Sequence, residues 1–147
     1  MTEQAAYKSG YKYQLAVPLA HVFLTQPPDP HTHIPSVEHL YFSIRPSQGF
    51  GVITLARWYA SDGPSGPTID TKNFMFGSFV HDALYQAIRL GFLDNDPWRR
   101  YADQELYALI RRDGMSWLRA NWVYYALRWA GRRATLPSSE RPVKVAP

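Results

Sequence analysis

His81-Asp82-Ala83-Leu84-Tyr85 and the later Asp103 are the residues whose types and spacing can do chemistry together. An imidazole exchanges protons near neutral pH, so His81 is a candidate general base toward water. A carboxylate on a neighbouring element can accept from one ring nitrogen and fix the tautomer, which gives Asp103 an orienting role. Tyr85 stands one helical turn after His81, on the same face, and its hydroxyl can reach the same carboxylate. Asp82 points roughly 100° away around the helix and cannot share that task. It is better placed to hold a hard cation with backbone carbonyls from a loop, as Ca²⁺ requires. Ser61-Asp62-Gly63-Pro64-Ser65-Gly66-Pro67 is such a loop, a short way upstream.

These side chains meet only if two helices fold back on each other. The first is expected from Asn73 or Phe74 to Leu90, closed by Gly91 as a C′ residue. The second opens with Asp96 as N-cap and Pro97 at the first helical position, runs to Arg112, and ends at Gly114. The connection from Phe92 to Asp96 is short enough for an antiparallel hairpin. Phe92 is the midpoint in sequence between His81 and Asp103, so the pair should lie level across the seam. A third helix, from Ser116 to about Ala130 and stopped by Gly131, presents Trp117, Leu118, Trp122, Val123, Tyr125, Ala126 and Trp129 as a broad stripe expected to be buried.

Ahead of the helices, short apolar runs punctuated by Pro and Gly predict a small antiparallel sheet. Its candidate strands are Tyr11–Val17, His21–Thr25, Leu40–Ile44 and Phe50–Leu55, with a loop from Pro27 to Pro35. The fold class is therefore α+β: a small N-terminal antiparallel sheet, then a three-helix C-terminal part. One domain is expected over residues 1–134, with strands at about 10–60 and helices at about 73–131, and 135–147 as a Pro-rich tail.

Composition bounds the function classes. The chain has 147 residues, enough for one core. Aromatics are abundant at 15%, and cysteine is absent, so no disulfide framework exists. The N-terminus has no signal-peptide pattern, and no apolar run is long enough to span a bilayer. Net charge is +4, with Arg99, Arg100, Arg111, Arg112, Arg119, Arg128, Arg132 and Arg133 all in the last third. That asymmetry suits an anionic membrane surface or an acidic protein neighbour, or is simply a solvated helical face. Nucleic acid is the least supported partner, since no binding motif accompanies the arginines. His31-Thr32-His33 is a weak metal candidate, because two histidines in a proline loop make a poor ligand set.

Gly63 and Gly66, then His81-Asp82-x-x-Tyr85, then Ala102-Asp103-Gln104-Glu105, resemble the calcium loop and catalytic helix pair of phospholipase A2 enzymes, in particular the version in the parvovirus capsid protein. The resemblance spans Ser61 to Glu105. It implies that His81 activates water against an ester carbonyl, with Tyr85 and Asp103 as its supporting network. It also implies Ca²⁺ held by Asp82 and by loop carbonyls around Ser61, Gly63 and Ser65. A wider pattern over residues 10 to 131 resembles an uncharacterised domain family of tailed phages and prophages. That likeness implies a phage origin, virion proteins as partners in an oligomeric assembly, and a place in the particle or, during assembly, in the host cytoplasm. Two readings stay open: a virion component in which the helix pair is a scaffold, and an active Ca²⁺-dependent phospholipase or esterase that helps breach a membrane. For the cluster itself, a satisfied polar network locking two helices in register is the plainer account.

Overall fold

A computed structural model describes residues 5–7, 13–26, 33–47, 49–61, 72–139 and 144–146. The architecture is α+β, an N-terminal antiparallel sheet region followed by three helices. The main sheet has four strands in the order β3-β6-β5-β4, where β3 is Leu19–Val22, β4 Val37–Glu38, β5 Phe42–Ser47 and β6 Phe50–Leu55. β6 matches its expected strand end to end. The expected strand over Tyr11–Val17 is reduced, among the described residues, to β2 at Tyr13–Gln14, which pairs with β7 at Ala60–Ser61. At the chain ends, β1 (Ala5–Tyr7) pairs antiparallel with β8 (Lys144–Ala146).

Alternation along the strands puts Phe42, Ile44, Ile53 and Leu55 into the core, where they meet α1 (Lys72–Arg89). From Gly77 to Ile88 every residue of α1 is buried except Asp82, which is half-buried. A helix apolar on nearly all sides belongs in the interior, and α1 is covered by the sheet and by α2 (Asn95–Arg112). Gly77 allows the close approach to α2: a Cβ there would stand 2.8 Å from Leu106 Cδ1 and 3.3 Å from Leu109 Cβ.

Both helix ends are set by glycine. Gly91, at φ +81°, closes α1 with Phe92 N–H donating to the Ala87 carbonyl at 2.9 Å. Gly114, at φ +96°, closes α2 with Met115 N–H donating to the Ile110 carbonyl at 2.8 Å. Each is a six-to-one closure that only a left-handed residue permits cheaply. The start of α2 differs from expectation: Asp94 is the N-cap, and Asp96 and Pro97 fall inside the first turn. Proline fits there because a first-turn N–H has no partner within the helix.

A buried carboxylate ties sheet to helix. Glu105 of α2 accepts from His21 Nε2 at 2.7 Å, Leu24 N–H at 2.7 Å, Thr25 N–H at 2.9 Å and Thr25 hydroxyl at 2.6 Å. Burial raises its pKa, but those donors outweigh burial and hold it below the ordinary carboxylate value.

α3 (Trp117–Ala130), capped by Ser116, overturns one expectation. Trp117, Leu118, Trp122, Tyr125 and Trp129 are exposed, and only Ala120 and Val123 are buried. The helix is apolar on most of its circumference, so periodicity could not say which side faces inward. The small second core cluster around Phe74, Leu106, Ile110 and Met115 takes the face with the smaller side chains. The helix does end at Ala130 with Gly131 as its C-cap, as expected, but Gly131 has a φ of −74° rather than a left-handed one, and the chain continues as a 3-10 turn over Gly131–Thr135.

Candidate active site on the central helices

Level pairing across α1 and α2 brings the chemistry together. His81 Nε2 lies 2.8 Å from Asp103 Oδ1, and the Tyr85 hydroxyl donates to the same oxygen at 2.6 Å. The His81 and Tyr85 rings are 4.0 Å apart between centroids and tilted by 41°, so one turn of helix sets them side by side at the shared carboxylate. Asp103 is fully buried, and its second oxygen accepts from Arg128 Nη1 of α3 at 3.0 Å, with Arg99 Nη1 at 4.0 Å. Four groups from three helices thus converge on one anion.

Electrostatics follow from that convergence. Burial by itself raises the Asp103 pKa, but the donors His81, Tyr85 and Arg128 bring it below its ordinary value. For His81 burial disfavours the charged form, while Asp103 and Asp82 favour it more strongly, and the net result is a pKa raised to about 9. Tyr85 is pushed up, first by burial and then by the Asp103 charge, so it stays a hydroxyl donor. Asp103 engages Nε2, and Nδ1 faces Asp82 with 3.8 Å to its Oδ1. His81 itself is only 5% exposed, and Asp82 beside its Nδ1 is half-buried.

Asp82 accepts a hydrogen bond from the hydroxyl of buried Ser61, at the end of β7. Ser61 and Asp82 are therefore neighbours, as a loop-plus-helix cation site needs. Gly63 and Ser65 lie outside the described residues, as does His31. Calcium takes about six to eight oxygen ligands. The described residues contain no cluster of three or more His, Asp or Glu that could hold a metal, and Asp82 contributes a single carboxylate.

Two participants escape a reading of the sequence. Arg99 stands one turn before Asp103, a spacing that could have flagged it. Arg128 had no such signal, because it reaches Asp103 across the α2–α3 connection. Gly131 serves the site too: a Cβ there would stand 2.7 Å from the Tyr85 hydroxyl oxygen. Comparison of the chain with family models, with curated proteins and with solved structures returns no match.

Proposed function

We propose that the chain is a virion-associated phage protein whose two central helices carry a phospholipase A2-type site for ester hydrolysis. The observation that supports the chemistry is the His81–Asp103 contact at 2.8 Å, shared with the Tyr85 hydroxyl. Asp103 keeps the proton on Nε2, so Nδ1 carries the lone pair when the ring is neutral. Nδ1 then takes a proton from water as the water oxygen adds to the ester carbonyl. The tetrahedral intermediate collapses by breaking the carbonyl–oxygen bond, and His81 returns the proton to the leaving alkoxide. Asp82, with carbonyls around Ser61, Gly63 and Ser65, would hold Ca²⁺, which when bound supplies positive charge opposite the developing oxyanion.

Phospholipid vesicles with calcium or with chelator, given to the parent chain and to His81→Gln, test this reading. Hydrolysis is expected only for the parent with calcium. Without a cation the His81 pKa is raised to about 9, partly by Asp82; Ca²⁺ on Asp82 would offset that contribution, so the rate should rise with pH to a plateau reached at or below pH 9. Absence of hydrolysis at every calcium level and pH sinks the enzyme and leaves the second reading, a scaffold within the particle. That reading draws on the near-complete burial of His81 and on the saturation of Asp103 by its donors.

A further inference from the structure

α3 exposes what a helix of a self-contained domain would hide. Leu118, Trp122, Tyr125 and Trp129 follow one another at intervals of four, three and four residues. That spacing confines them to an arc of roughly 60° of the helix, opposite Ala120, Val123 and Leu127, which face the core. Trp129 is 90% exposed and Leu118 74%. Burying large apolar side chains is worth about 1.5–3 kcal/mol each, so a row of four left in water implies a covering partner.

Charge selects the partner. Between Gly114 and Ser139 the chain has four arginines (Arg119, Arg128, Arg132 and Arg133) and no Asp or Glu. Arg128 turns inward to Asp103, whereas Arg132 and Arg133 are exposed just beyond Trp129, at the C-terminal end of the row. A second copy laid on this face would bring like-charged segments together, with no carboxylate on α3 to offset them. Two Trp, a Tyr and a Leu in one row, followed by exposed Arg132 and Arg133, match instead the layered chemistry of a lipid headgroup region, with rings at the interface and cations at the phosphates.

We propose that the exposed aromatic row of α3 is a docking surface for anionic phospholipid membranes, with α3 lying flat in the headgroup layer over its length of about 21 Å. The proposal deepens the membrane-directed reading above, but it does not require His81 to be catalytic. Its test therefore measures binding alone. The full chain is mixed with sedimentable vesicles of pure phosphatidylcholine or of phosphatidylcholine containing phosphatidylglycerol. At least tenfold tighter binding to the phosphatidylglycerol vesicles is expected, falling as salt rises, with a blue shift of tryptophan fluorescence. Trp122→Ser with Trp129→Ser should weaken that binding at least tenfold without altering the circular dichroism spectrum, since both side chains are exposed. Arg132→Glu with Arg133→Glu should reduce the preference for phosphatidylglycerol, a readout that leaves the aromatic row intact. An unaltered chain that binds neither vesicle type overturns the proposal. So does binding undiminished by the tryptophan pair, or a lipid-free dimer that the same substitutions dissolve. Vesicle binding without hydrolysis would uphold the surface while the enzyme reading falls.

Discussion

Asp103 is the residue on which the other groups of the site depend. It is a buried anion whose neighbours His81, Arg99 and Arg128 are arranged around it, so removing its charge strands cations in the interior. Asp103→Asn is expected to lower stability by about 3–5 kcal/mol, read by chemical denaturation. It should also move the His81 pKa down, because burial is the largest single influence on that ring and only Asp82 would remain to oppose it. An imidazole NMR titration checks this: a ring still titrating near 9 in Asp103→Asn would refute the assigned electrostatics. His81, Tyr85 and Asp103 were legible in the sequence because a short connection between two helices turns residue numbers into heights. Arg128 was not, because its height relative to Asp103 depends on how α3 crosses α2, which no local pattern encodes.

Gly131 links a helix end to the site. The three atoms nearest its hypothetical Cβ all belong to Tyr85, the hydroxyl oxygen at 2.7 Å and Cε2 and Cζ at 3.5 Å. The 2.7 Å approach is a clash, and the 3.5 Å ones are ordinary contact. Gly131→Ala should therefore cost about 1–3 kcal/mol in the parent chain and much less in a Tyr85→Phe background. Tyr85→Phe alone should cost about 1.5–3 kcal/mol, the worth of a hydrogen bond to a charged acceptor. A double-mutant cycle measures the coupling, and strictly additive losses would show that the two residues do not touch. From sequence, Gly131 looked like a helix terminator, since a glycine after an apolar helix usually supplies a left-handed turn. The α-helix does end there, but a φ of −74° shows that the closure is not left-handed and that what the site requires of Gly131 is the missing side chain. α3 was misjudged for a related reason. Helical periodicity finds a face only when the other faces are polar, and this helix has Trp, Leu or Tyr on most of its circumference.

Across the whole molecule, three buried ionised groups set a pH window for the fold. Asp103 and Glu105 have pKa values below their ordinary 3.8 and 4.5, so their stabilisation is complete above those values and is lost as pH falls. His81 runs the other way. Its folded pKa of about 9 exceeds the ordinary 6.5, so its contribution is complete below about pH 6.5 and disappears as pH rises through 9. For this nearly inaccessible ring that amounts to a loss on the order of 3 kcal/mol. Tyr85 and Tyr101, both pushed up chiefly by burial, stay neutral across the range and add nothing to the alkaline limb. Thermal unfolding should therefore give its highest Tm between about pH 4.5 and 6.5, with a decline toward pH 9.5. His81→Gln should flatten the alkaline decline, and Glu105→Gln should remove part of the acid one while loosening the join between β3 and α2. A parent Tm that stays level from pH 6.5 to 9.5 would mean that His81 is not held as an imidazolium by Asp103. The pair would then be a neutral hydrogen bond, and the expected alkaline rise in hydrolysis would lose its cause.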